Sequence, residues 1–97
     1  MAAKALLDDA ADQGVLPRYA AWNQRLKPLK FRPDFVFLTP SKIVIIEIDE
    51  NGHKGYCPEK EREREEAIHN ATKRKCIIYR TRNLTEEDID NIQALLG

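Results

Sequence analysis

The sequence predicts an α/β fold, a mixed sheet of about four strands in α-β-β-β-α-β-α order with helices flanking the sheet. Three observations lead there. Ile43-Val44-Ile45-Ile46 and Ile48 form a nearly continuous β-branched run, as expected of a central strand covered on both faces. Helix start and stop signals separate that run from a second apolar stretch, Cys76 to Thr81. With 97 residues in all, the chain makes a single domain spanning 1–97 with one small core.

The elements follow in order. Ala2 to about Asp12 is alanine-rich, carries Leu6 and Leu7, and meets no breaker before Gly14, which predicts a first helix. Tyr19 to Leu26, bracketed by Pro17 and Pro28, reads as a short strand, and Phe31 to Leu38 as a second. Thr39-Pro40-Ser41-Lys42 is a turn. Ile43 to Asp49 is the strongest strand. Asn51 to Cys57 holds two glycines and reads as a loop, and a helix starts near Pro58, a residue suited to a first helical position. Glu59 and Glu61 in the first turn and Lys73-Arg74-Lys75 at the end complement the helix dipole. Only Ala67, Ile68 and Ala71 are apolar in this helix, so its buried stripe is narrow. Cys76 to Thr81 is the fourth strand. Thr85-Glu86-Glu87-Asp88 is a capping-box pattern opening a last helix, with Leu84 placed to staple onto Ile89.

Composition excludes some classes. No apolar run of about 18 residues is present, which argues against a membrane-spanning helix. Acids appear by Asp8, too early for a signal peptide, so an intracellular protein is expected. Two cysteines, Cys57 and Cys76, make no disulfide framework. His53, Cys57, His69 and Cys76 match no compact zinc spacing. Net charge is zero, yet its distribution is uneven. From Gln13 to Pro33 there is no acid, while Arg18, Arg25, Lys27, Lys30 and Arg32 are interleaved with Tyr19, Trp22 and Phe31. Such a segment suits phosphate contact on an otherwise neutral domain.

Acids stand in costly places. Arg32-Pro33-Asp34 precedes one apolar strand, and Glu47-Ile48-Asp49-Glu50 closes the next, with His53 just beyond. A carboxylate on a buried strand needs a cation or a proton. Strand alternation puts Glu47 and Asp49 on the face of Ile43 and Ile45, and turns Ile48 and Glu50 to the other. Hairpin pairing of the two strands brings Asp34 beside Glu47. Asp34, Glu47, Asp49 and the backbone carbonyl of Ile48 then make an oxygen-rich site suited to Mg²⁺ or Mn²⁺. Arg80, at the end of the fourth strand, offers a rival account as the ion-pair partner of Asp49 or Glu50.

Asp34 followed by Glu47-Ile48-Asp49 in an α-β-β-β-α-β frame resembles the PD-(D/E)XK nuclease superfamily, the restriction-endonuclease-like fold. The segment from Arg32-Pro33-Asp34-Phe35 through Glu47-Ile48-Asp49-Glu50-Asn51-Gly52-His53-Lys54-Gly55-Tyr56 is similar to small nuclease-like proteins of large DNA viruses and phages, related to very-short-patch repair endonucleases. In that group a Glu-x-x-Arg helix follows, here Glu61-Arg64 or Glu59-Arg62. The next strand ends in arginine and asparagine, here Arg80 and Asn83. The resemblance covers about Asn23 to Asn83. It departs in two places: the superfamily's lysine falls at Asp49, and the first helix offers only Asp8, Asp9 and Asp12 where a glutamate often supports the metal.

The resemblance implies a Mg²⁺- or Mn²⁺-dependent endonuclease acting on DNA, with RNA the remoter substrate. Asp34, Glu47 and Asp49 hold the metal and His53 or Lys54 assists the water or the leaving oxygen. Arg18, Arg25, Lys27, Lys30, Arg32, Lys54, Tyr56 and Arg64 contact nucleic acid. One site per domain means that cutting both strands takes a homodimer or two nicks. The alternative is a non-catalytic nucleic-acid-binding or interaction module on the same fold, favoured by Asp49 in place of lysine and by the zero net charge.

Overall fold

The computed structural model describes residues 2–24, 33–49 and 58–97. Helix α1 spans Ala2–Asp12, strands β1, β2 and β3 span Ala21–Trp22, Phe35–Leu38 and Lys42–Ile48, helix α2 spans Pro58–Thr72, strand β4 Lys75–Thr81 and helix α3 Glu86–Leu96. The expected element order is therefore found. The four strands form one sheet in the order β1-β2-β3-β4. β1–β2 and β2–β3 are antiparallel, and β3–β4 is parallel. Among the described residues, no helix is long and apolar enough to cross a membrane.

β3 is the central strand predicted from its β-branched run. Ile43, Val44, Ile45 and Ile46 are each at most 3% exposed. Its alternation splits the core into two layers. Val44 and Ile46 pack with Phe35, Phe37, Leu7 of α1 and Ile89 and Ile92 of α3. Ile43 and Ile45 pack with Val36 and with Ile68, the buried residue of α2. α2 thus covers one face with the narrow stripe expected, while α1 and α3 share the other.

The helix ends follow from local chemistry. Gly14, at φ 76, takes the left-handed conformation just past α1. Val15 N–H then bonds to the Ala10 carbonyl and Gly14 N–H to that of Ala11, a Schellman closure. At α3 the capping box is formed: Thr85 accepts from the Asp88 N–H, and Asp88 accepts from the Thr85 N–H at 2.8 Å. Tyr79 donates to Asp88 at 2.6 Å, and Leu84 packs into the same core layer as Ile89. Thr85→Ala is expected to lower stability by about 1 kcal/mol in urea unfolding.

Three boundaries differ from expectation, the first at α2, which ends at Thr72 so that Lys73 and Arg74 lie past its last turn and Lys75 opens β4. The first strand is two residues long, and Asn23 at φ 49 breaks the extended path after Trp22. Tyr19 does not enter it; its ring packs edge-on against Phe35 at 5.1 Å and its hydroxyl donates to Asp8 at 2.7 Å. The second strand starts at Phe35. Pro33, buried, brings no N–H to the ladder, and residues 31–32 of the predicted strand lie outside the described residues.

Candidate functional site

The site lies where β3 ends, on the face covered by α2. Phe35 pairs with Ile46, and continuing that antiparallel register by one step sets Asp34 opposite Glu47. On the other side, the parallel register pairs Glu47 with Arg80. Asp34, Glu47 and Arg80 therefore form one row across β2, β3 and β4. α2 runs back over the sheet, so its first turns lie above the same strand ends.

Hydrogen bonds fix each member. Asp34 Oδ2 accepts from the Ile48 N–H at 2.8 Å, satisfying a strand-end donor beyond the last β2–β3 pair. N–H and C=O of one strand residue point the same way, so the Ile48 carbonyl also faces the Asp34 side, where Pro33 has no N–H to give it. Arg80 Nη1 donates to Asp49 Oδ2 at 2.9 Å, and Arg80 Nε donates to Glu61 of α2. These three side chains are 15–24% exposed, a largely desolvated clamp between β3, β4 and α2. Arg80 of β4 thus supplies a cation to the acids, as its rival role anticipates, and it goes to Asp49.

Glu47 is different. Among the described residues none donates a hydrogen bond to its carboxylate. Burial first, and the negative Asp34 second, push its pKa up from 4.5 to about 7. Arg80 and Arg64 pull the other way, and Asp49 adds to the rise. At neutral pH this carboxyl is thus poised between its two protonation states.

The predicted residues divide into three groups. Asp34 and Glu47 are brought together. Asp49 shares their face but is held by Arg80, and among the described residues no set of three or more His, Cys, Asp or Glu side chains is gathered to hold a metal ion. Arg25, Lys27, Lys30, Arg32, Glu50, His53, Lys54 and Tyr56 lie outside the described residues. Arg18 pairs with Asp12 on α1, and Arg64 on α2 acts on Glu47 through its charge.

Other predicted groups stand apart from this row. Asp8 is bonded to Lys4 and Tyr19, and Asp9 to Gln13. His69 Nδ1 is bonded to the Arg74 carbonyl, and burial pushes the Cys76 thiol up to about 11. Sequence reasoning missed Glu61 as the second partner of Arg80. Its signal was the Glu61-Arg64 spacing, one helical turn on the face that meets the sheet.

Neither family models, nor curated proteins, nor solved structures give a match to this chain.

Proposed function

We propose that this chain is a metal-dependent DNA endonuclease of the restriction-endonuclease-like type, with Asp34 and Glu47 as the residues that hold Mg²⁺ or Mn²⁺. The observation that carries the reading is the Asp34–Glu47 pair: two carboxylates face each other at a strand end, one with its proton affinity raised by burial and by its neighbour. A divalent cation between them relieves both effects at once. Mg²⁺ is commonly held by one or two carboxylates with waters and substrate phosphate completing its shell, so a third protein acid is not required. The Ile48 carbonyl, on the Asp34 side, is a further oxygen. When bound, the ion polarises the phosphoryl group and lowers the pKa of a coordinated water.

The residues' own tasks follow. Asp34 orients the end of β3 through the Ile48 N–H while presenting its second oxygen to the site. Glu47, once unprotonated, supplies the charge that holds the ion. Arg80 fixes Asp49 and Glu61 and keeps positive charge beside Glu47. In hydrolysis, water oxygen bonds to phosphorus, one P–O(sugar) bond breaks, and that sugar oxygen takes up a proton; His53 and Lys54 are proposed for the proton steps. The basic residues from Arg18 to Arg32, with Lys54, Tyr56 and Arg64, are proposed to hold the DNA.

A second reading is a nucleic-acid-binding module without catalysis. It is favoured by Asp49, which stands in place of the superfamily's lysine and is tied to Arg80. A cleavage panel decides between them: plasmid, branched and mismatched DNA, and RNA, each with Mg²⁺, Mn²⁺ or chelator. The nuclease reading expects nicks or cuts that need Mg²⁺ or Mn²⁺. Binding with no cleavage under any metal would sink it.

A further inference from the structure

We propose that Glu61 is a positioning residue of the Asp34–Glu47 site: from the first turn of α2 it holds the Arg80 guanidinium in place and so sets where that cation stands beside Glu47, a role that rests on the reading of Asp34 and Glu47 as holding a divalent ion. Arg80 lies on β4 level with Glu47, and its guanidinium is gripped at two nitrogens. Nε donates to Glu61, and Nη1 donates to Asp49 at 2.9 Å. The group is planar, so two such bonds from different elements fix both its place and its plane. Asp49 ties it to the end of β3, and Glu61 ties it to α2.

The burial of Glu61 sets it apart on its helix. From Pro58 to Arg64 every other residue is exposed, whereas the Glu61 side chain is 15% exposed, the lowest of the three clamp members. Ile68, the buried residue of α2, lies two turns further along the same face. The start of α2 therefore meets the sheet through an ion pair, where its later turns use an apolar contact. A carboxylate taken that far out of water is costly unless it is paired. Glu61 is thus the residue through which the seating of α2 reaches the strand ends.

What the clamp controls is charge at the carboxylate pair. Arg80 and Arg64 both act on Glu47 as positive charges, and Arg64 stands one turn beyond Glu61 on α2. An ion held by Asp34 and Glu47 competes with these cations for the same oxygens. With Glu61 in place, Arg80 is drawn toward α2 and Asp49, and its charge acts on Glu47 without a hydrogen bond to that carboxylate. Without Glu61 the guanidinium turns toward the remaining carboxylates, Asp49 and Glu47, and opposes the ion both by pairing and by like charge.

Mn²⁺ titration of the full chain, read by electron paramagnetic resonance, tests this without cleavage. Glu61→Ala should weaken Mn²⁺ binding about tenfold. Glu61→Gln keeps an oxygen for Arg80 Nε and should stay within about threefold of wild type, although it loses the same charge. Equal weakening by the two overturns the proposal, because Glu61 would then act as a distant charge alone; wild-type affinity in Glu61→Ala overturns it as well. If Glu61→Ala does not fold, Glu61→Asp decides. It keeps the charge with one methylene less reach and should weaken binding by at least about threefold, and wild-type affinity there overturns the proposal. Glu47→Gln separates the two readings. Mn²⁺ binding lost in Glu47→Gln but intact in Glu61→Ala overturns the positioning role alone, whereas wild-type affinity in Glu47→Gln overturns both that role and the two-carboxylate site.

Discussion

Asp34→Asn and Glu47→Gln are each expected to reduce Mn²⁺-dependent cleavage by about a thousandfold, with DNA affinity held within about threefold. Both are isosteric, and both remove the negative charge that the proposed ion needs. The amide introduced by Asp34→Asn would still offer an oxygen to the Ile48 N–H, the bond that Asp34 makes at 2.8 Å, so loss of activity would not reflect loss of the strand end. Asp49→Asn is expected to cost far less, within about tenfold, because that carboxylate is bonded to Arg80 rather than facing the pair. Plasmid relaxation gives the rates, and fluorescence anisotropy with Ca²⁺ in place of Mn²⁺ gives the affinities. Wild-type rates in both Asp34→Asn and Glu47→Gln would remove the metal from this row of the sheet.

The contrast between Asp34 and Asp49 marks the limit of what the chain's letters disclose. Period-two alternation is enough to put Glu47 and Asp49 on one face with Ile43 and Ile45, and the hairpin is enough to bring Asp34 alongside. Both follow from backbone geometry, which is local. Which of three acids meets the cation is not local. It depends on the parallel register of β3 and β4, set by the length of the crossover through α2. That register puts Arg80 level with Glu47, yet its guanidinium reaches on to Asp49 and Glu61. A competing pair is visible from sequence, because Arg80 follows an apolar strand. The third member, Glu61, is hidden among the alternating charges of α2.

Fold elements are legible in proportion to their local signals. β3, α2 and α3 announce themselves through a β-branched run, a proline-led start and a capping box, and each begins within a residue of its expected place. β1 is shorter than predicted because Tyr19, two positions from Ala21 as strand alternation asks, does not serve as a strand residue. Tyr19 is instead recruited by α1, through Asp8, and by the edge-on contact with Phe35. Aromatic residues in short polar segments serve either purpose, and only the packing partner decides.

Glu47→Gln is also expected to stabilise the fold, and by more as pH rises. The folded carboxyl titrates at about 7 against an ordinary 4.5. Below 4.5 both states hold the proton and the group contributes nothing. Between 4.5 and 7 the unfolded chain releases its proton while the folded one keeps it, so stability falls with rising pH, and the full penalty stands above 7. The complete shift corresponds to about 3 kcal/mol; water reaches the partly open carboxyl and screens it, leaving about 2 kcal/mol. Urea unfolding of both proteins from about pH 5 to about pH 8 reads the difference directly, because groups common to both cancel. A gap that stays flat with pH would show that neither burial nor Asp34 raises Glu47. The same penalty ties stability to the proposed site: an ion bound to the unprotonated pair stabilises the native state increasingly as its concentration exceeds its dissociation constant. At about pH 8, Mn²⁺ should therefore narrow the gap by stabilising the wild type alone, and an equal rise in both proteins would place Mn²⁺ binding away from Glu47.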